Sequence, residues 1–553
     1  MLFNSYSFIF LFLPITVIGY MLVNRIGARS ASLSWLILCS IVFYGAWNPV
    51  NLIIIFPSIC INYFLAMQIK RRVEAASSSE ESARLLLWIG VIFNLCFLGY
   101  FKYKNFFIDS VNDVFSTHLP LVAVALPLGI SFITFQKIAF LVDVHGGAIK
   151  RFTLFDFLTF VFFFPQLIAG PIVHYREMMP QFQVIEKKLN PENLAVGCML
   201  FSMGLFKKVV FADGIAAYVP TAFAATAHGQ SVSFFAAWMA GLAYTFQIYF
   251  DFSGYTDMAL GLARLFGIRL PMNFNSPLKS TSIIEFWSRW HITLTRFLTA
   301  YVYTPLVMRL TRARMSAGKP VLTRKKPTLE AFIVLAAWPT ILTMFLSGFW
   351  HGAGYTFLAW GLLHGAYLII NHAWRQCRPK WNPEAYERIM TPIGGVLTFI
   401  CVVIAMVLFR ATTLGSAGRM FRAMAGFDGV TIPQPILTRL GGIGRLMEHV
   451  GIHGDVTSGA AFALSATWIV ILFAIIIAMP NSLQLLRKHE PALYFLEPDL
   501  PAKASQAKDR LSATRPAMFE VRWTRNWAGV AAALFVFGAL GLNRISEFLY
   551  WQF

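Results

Sequence analysis

His351 stands in the stretch LSGFWHGAGY (346–355), broken by glycines and flanked on both sides by apolar runs. An imidazole changes charge near neutral pH, so a histidine there could move a proton. Position alone equally allows a hydrogen-bonded packing residue or a solvated turn. A second group lies in IIEFWSRWHITLTRFLTAYVYTPL (283–306). At about 100° per residue, Glu285, Ser288, Arg289, His291, Thr295, Arg296 and Thr299 share one helical face, with only Ile292 apolar among them. Phe286, Trp287, Trp290, Leu294, Phe297 and Leu298 share the other. Such a helix either lies in the membrane interface with its polar side in water or lines a polar cavity with His291. A third group, QIYFDFSGYTDMALG (247–261), puts Asp251, Ser253 and Asp257 inside a long apolar run. Carboxylates at membrane depth face a bundle interior or a water path, as structural pairs or as substrate contacts. His364, in WGLLHG, faces about 220° away from His351 on a continuous helix, which makes it a structural residue and not a direct partner.

The chain has no GxxxxGK[ST] phosphate loop, no HExxH and no GxSxG. P-loop ATPases, zincin proteases and the usual serine hydrolases are therefore excluded. The remaining option is histidine chemistry in a membrane cavity.

The elements that must hold these residues are membrane helices. Of 553 residues, 57% are hydrophobic, 16% aromatic and 13% charged, against about 25% charged in soluble domains. Apolar runs near 7–24, 33–46, 50–68, 85–101, 121–142, 153–170, 198–218, 232–250, 331–347, 355–371, 391–409, 462–479 and 527–542 are span candidates. Those between 153 and 306 are interrupted by Pro, Gly and carboxylates and read as re-entrant or surface-lying. The N-terminal MLFNSYSFIFLFLPITVIGYMLVNR lacks a basic n-region and a small-residue cleavage site, so it reads as a retained span. The net charge of +20 is gathered in loops between apolar runs, the pattern of a cytoplasmic membrane face and not of a nucleic-acid partner. The six cysteines show no CxxC spacing, which disfavours a disulfide framework or a metal site.

Basic loops orient the chain. Arg25 and Arg29, KRR (70–72) and HGGAIKR (145–151) follow the first, third and fifth runs, which puts the N-terminus outside. Segment 309–327 holds seven Lys/Arg and no acid and marks the cytoplasm. Residues 331–371 as one helix would be roughly 60 Å long, twice the hydrocarbon core of about 30 Å. They must be two spans, with His351 at a turn toward the outer face. Segment 412–460 reads as an outer loop with some amphipathic helix. The chain divides into a membrane core with its following spans over 1–480, a cytoplasmic polar segment over 481–525 and a C-terminal span over 526–553.

Several long stretches carry a family resemblance: LPLGISFITFQKIAFLVDV (126–144), FFPQLIAGPIVHYREMMPQF (163–182), GLFKKVVFAD (204–213), YFDFSGYTDMALGLARLFGIRLPMNFNSP (249–277), EFWSRWHITLTRFL (285–298), LSGFWHGAGYTFLAWGLLHG (346–365) and VLFRATTLGSAGRM (407–420). The chain resembles bacterial membrane-bound O-acyltransferases, specifically the alginate O-acetyltransferase membrane-subunit branch. Relatives that D-alanylate teichoic acids share the FDFxGY and RWH patterns but are shorter; segment 486–524 matches no pattern of the family.

The resemblance implies an all-α polytopic inner-membrane protein of about 11–13 helices, with re-entrant or surface-lying helices around a central funnel. It implies His351 in FWHG as the catalytic histidine and His291 in RWH as the second. Its expected donor is acetyl-CoA, with no bound cofactor, and its expected partners are the lipid bilayer, a polysaccharide acceptor and a periplasmic acetyltransferase. The funnel is expected to be lined by Asp251, Ser253, Asp257, Glu285, Ser288, Arg289, Trp290, Thr295 and Trp350. A transporter or scaffold that serves a periplasmic acetyltransferase without bond chemistry, and an acylated carrier protein as donor, are the competing readings.

Overall fold

The computed structural model describes all residues except 26–27, 76–79, 123–124, 184–189, 323–327, 378–381, 494–519, 544–548 and 550–553. Most of the expected polar segment 481–525, the ends of two basic loops and most of the C-terminal FLYWQF thus lie outside the described residues. Among the described residues the fold is helical apart from one strand pair, two parallel four-residue strands, Val430–Pro433 and Ile452–Asp455.

Seven helices among the described residues are long and apolar enough to cross a membrane: Phe8–Arg25, Val50–Glu74, Glu80–Phe115, Pro191–Ala216, Leu329–His351, Glu384–Arg410 and Gly459–Ala478. Arg29–Gly45 and Arg525–Leu540 are shorter apolar helices. The expected run at 153–170 is broken, as its Pro and Gly content predicts, into Leu154–Phe162 and Phe164–Leu167. This is an all-α polytopic membrane protein.

Two compact units interleave along the chain. The first comprises Met1–Lys207, Ser253–Asn273 and the described residues from Pro480 onward. In it Val50–Glu74, Glu80–Leu98 and Ile130–His145 pack side by side. Asn62 and Asn94 bond reciprocally between two of these helices, Nδ2 to Oδ1, at 3.2 and 2.6 Å. Paired amides of this kind are a means of joining helices where lipid offers no polar partner. Close backbone approach does the same elsewhere: a Cβ on Gly204 would meet the Gly254 carbonyl oxygen at 2.5 Å, and one on Gly197 the Gly261 oxygen at 2.9 Å.

The second unit comprises Lys208–Phe252 and Phe274–Met479. It contains the helical hairpin Trp338–His351 and Tyr355–Cys377, the long helix Pro383–Arg410, and the interrupted segment around His291. Segment 412–460 is more ordered than its loop character suggests. Helix Leu414–Met424 opens with a capping box between Thr413 and Ser416, and two further short helices accompany the strand pair.

Candidate active site

His351 is positioned by backbone contact between two helices. A Cβ on Gly348 would stand 2.3 Å from the carbonyl oxygen of Phe357, and one on Gly361 2.3 Å from that of Met344. Only glycine lets Trp338–His351 and Tyr355–Cys377 approach so closely. His351 ends the first helix, and Gly352 follows in extended conformation at φ −160° and ψ 153°. The expected turn is therefore present, between the apolar helix that ends at His351 and a second helix, Tyr355–Cys377, that is not among the helices apolar enough to cross a membrane. His351 is 4% exposed, and its ring is walled by Trp350, Trp360 and Phe409, with centroids at 4.8, 5.0 and 5.3 Å.

The segment expected as one amphipathic helix is not one. It is Ile283–Arg289, an extended Trp290, a left-handed His291 at φ 45° and ψ 51°, and then Ile292–Leu298. A left-handed backbone costs a non-glycine residue about 1 kcal/mol or more. Here the break is stitched on both sides. Trp290 N–H donates to Phe286 O at 2.8 Å, and His291 O accepts from the N–H of Leu294 and Thr295 at 3.0 and 3.1 Å. The single polar face drawn on a continuous helix does not exist, because the break rotates the second half against the first.

The break sends the polar residues to different fates. His291 is fully buried, with Phe252 at 4.8 Å, Trp350 at 6.0 Å and His351 at 6.4 Å between ring centroids. His291 lies outside the helices long and apolar enough to cross a membrane, and burial pushes its imidazole down to about 3, so it is neutral at physiological pH. Trp290 packs edge-on to Phe274 and stacked on Phe286. Glu285 and Arg289 pair with each other at 2.6 Å. Glu285 also accepts from the Thr281 backbone N–H and hydroxyl, at 2.7 and 2.8 Å. Ser288 is exposed and donates to the Glu285 carbonyl. Thr295 lies beyond the break, half-buried, and its hydroxyl oxygen has no hydrogen-bond partner among the described residues.

The two aspartates separate as well. Asp251 is buried in the second unit and pairs with Lys208 at 2.6 Å, which also reaches Asp213 at 2.9 Å. Asp257 belongs to the first unit, where Lys207 meets it at 2.6 Å and the Ser482 hydroxyl donates to it at 2.6 Å. Buried carboxylates held by ammonium groups are costly to unpair, so both pairs brace their units. Ser253 is buried, and its hydroxyl has no hydrogen-bond partner among the described residues.

Sequence reasoning overlooked the aromatic cage. Trp360 lies between His351 and His364, with centroids at 5.0 and 4.8 Å. Trp287 Nε1 donates to His364 Nδ1 at 3.3 Å. His364 is thus one ring removed from His351. The angle that set it aside assumes a continuous helix, whereas the chain turns at 352–354. Lys207 and Lys208 were also overlooked as partners, although a KK pair inside an apolar run signals buried carboxylates nearby. Among the described residues, no group of three or more His, Cys, Asp or Glu side chains could hold a metal ion.

The assembled site is two buried imidazoles too far apart for a direct hydrogen bond, enclosed by tryptophans in a space from which bulk water is excluded. A neutral imidazole here can accept a proton, and the indole N–H of Trp360, without a hydrogen-bond partner among the described residues, can donate to a developing anion.

Residues 39–317 match the MBOAT, membrane-bound O-acyltransferase family, a stretch that includes His291 and stops before His351. The chain is 37% identical to the peptidoglycan O-acetyltransferase of Helicobacter pylori over 86% of its own length and 89% of that protein. It is 39% identical to the probable alginate O-acetylase AlgI of Pseudomonas aeruginosa, over 77% of its own length and 75% of that protein. Similarity to the teichoic acid D-alanyltransferase of Streptococcus thermophilus is lower, 28% over 61% of this chain and 85% of the other. The relatives differ in what their names say they acylate, but each of the three is named for acyl transfer, and this chain belongs to the membrane-bound O-acyltransferase family as an O-acyltransferase.

Proposed function

We propose that the protein takes an acetyl group from cytoplasmic acetyl-CoA and moves it across the bacterial inner membrane for O-acetylation of a cell-surface or exported polysaccharide. The observation that carries this reading is the pair of buried imidazoles, His291 and His351, with centroids 6.4 Å apart inside a tryptophan cage. The relatives named as polysaccharide and peptidoglycan acetylating proteins support the choice of group and acceptor class.

In the proposed step the hydroxyl oxygen attacks the thioester carbonyl while His351 takes the hydroxyl proton. The tetrahedral intermediate collapses with cleavage of the carbon–sulfur bond, and the proton passes from His351 to the departing CoA sulfur. The oxyanion draws on His291 and on indole N–H groups of the cage. Arg289 is a poorer candidate, since Glu285 already holds it. The distribution of basic loops favours an outside N-terminus and His351 toward the outer side, and in this reading the donor enters through a passage from the cytoplasm. The acetyl group leaves toward the periplasm, to a partner acetyltransferase or directly to the polymer.

The test is thioester cleavage by purified protein given labelled acetyl-CoA, together with polymer acetylation in cells. His351→Ala should abolish both while leaving expression intact. A fully acetylated polymer from that variant would refute the assignment, and transport without thioester cleavage by the wild type would favour the transporter reading.

A further inference from the structure

Away from the histidines, the first unit carries a surface cavity of about 460 Å³ whose walls hold Lys70, Lys150, Arg151 and Arg176 with one carboxylate, Asp156. The cations come from three places in the chain: helix Val50–Glu74, the loop after Ile130–His145, and the short helix Tyr175–Met178. A charge run on one helix is ordinarily a solvated face. Four cations brought from three elements to one concavity instead make a focused positive potential.

The single carboxylate does not cancel that potential. Asp156 Oδ1 accepts from Arg29 at 2.8 Å, and Oδ2 accepts from the Thr153 backbone N–H at 3.2 Å and its hydroxyl at 2.8 Å. Asp156 is thereby committed to a fifth cation and to capping helix Leu154–Phe162. Lys70 approaches Glu74 only at 3.8 Å, on an exposed turn. Lys150, Arg151 and Arg176 are exposed and form no ion pair among the described residues. With Asp156 held in place and Lys70 paired loosely with Glu74, the three remaining cations of the cavity have no carboxylate partner among the described residues, which leaves the concavity short of negative charge.

We infer that this cavity binds a phosphate-bearing ligand. Two arginines offer planar forks for bidentate contact with phosphate oxygens, and the lysines add compact point charges. The volume is that of a small-ligand pocket, ample for a diphosphate with part of its attached group. The phosphate has two possible sources, a soluble phosphorylated nucleotide or the headgroup of an anionic phospholipid. The site itself does not depend on the acetyl-transfer chemistry proposed above.

The experiment uses the full-length protein purified in neutral detergent. One arm titrates CoA and adenosine 3′,5′-bisphosphate by calorimetry. The other compares melting temperature in nanodiscs of phosphatidylcholine with and without phosphatidylglycerol. Both arms are run on wild type, on Lys150→Ala/Arg151→Ala/Arg176→Ala, and on the charge-matched control Lys319→Ala/Arg422→Ala/Arg439→Ala, whose residues lie outside the cavity. Lys70→Gln serves as a milder variant, and ligand-free melting in detergent checks folding.

A loss of nucleotide affinity of at least tenfold in the cavity variant and not in the control assigns the site to a soluble nucleotide. Loss of the phosphatidylglycerol-dependent stabilisation, again only in the cavity variant, assigns it to lipid. Equal behaviour of cavity and control variants, or no response of the wild type to either probe, overturns the inference. Thioester cleavage on the same samples tests the proposed function separately, since its absence leaves the binding result standing.

Discussion

Gly361→Ala tests whether the close crossing of the helical hairpin sets the geometry around His351. The added Cβ would sit 2.3 Å from the Met344 carbonyl oxygen and 3.1 Å from the Gly348 Cα, both backbone atoms that cannot swing aside. Ordinary contact begins at 3.4 Å, so the two helices must part by roughly 1 Å, and a displacement of that size at a reacting centre costs about 10²-fold in rate. Overpacking of this kind also costs about 1–3 kcal/mol of stability. Gly418→Ala is the control, because its Cβ meets nothing within 4 Å and improves helix propensity. The assay is turnover of labelled acetyl-CoA at saturating donor, with melting temperature measured on the same preparation. Wild-type turnover in a Gly361→Ala protein of wild-type stability would refute the reasoning, since the crossing could then not be what positions His351.

Three further outcomes are expected. His291→Gly and His291→Ala should both lose acetyl transfer, but the glycine variant should be the more stable by about 1 kcal/mol in thermal melts, because only glycine adopts the left-handed backbone without cost. The folded-state value of His291 near 3 lies below its ordinary 6.5. Its contribution is therefore fully present above about pH 6.5 and is lost as pH falls from there toward 3, where the unfolded chain binds the extra proton. Melting curves should weaken across that window, and His291→Gln should flatten the slope. Lys208→Met removes the ammonium that pairs with buried Asp251 and half-buried Asp213 and should cost roughly 3–5 kcal/mol, read by thermal unfolding; adding Asp251→Leu should recover part of the loss.

The hairpin at His351 was legible in the sequence because 331–371 is too long for one span and carries glycines where it must turn. The fragmentation of 153–170 was legible from its Pro and Gly. The break at Trp290 and His291 was not, since SRWHITL contains neither residue and its polar periodicity fits an unbroken helix. Periodicity reports which face is polar only if the axis is continuous, and tertiary packing of Phe252, Trp350 and the cage overrides it here. The same false continuity hid His364. Pairing of Asp251 and Asp257 with consecutive lysines was illegible for another reason. Which carboxylate meets which ammonium depends on chain stretches up to fifty residues apart, such as Lys207 and Asp257.

The backbone at His291 also limits how this position can vary. Besides histidine itself, the residues that tolerate its left-handed dihedrals most readily are glycine, asparagine and aspartate; these cannot replace an imidazole, and most side chains that fill a buried apolar niche would strain the turn. His351, at the end of a helix, is restricted by its aromatic packing and its chemistry but not by its backbone dihedrals. A saturation library should accordingly find position 291 intolerant in two independent ways, with some substitutions failing to fold and others folding without turnover. At position 351 the losses should fall mainly in the second class, which makes 291 the less adaptable of the two under selection.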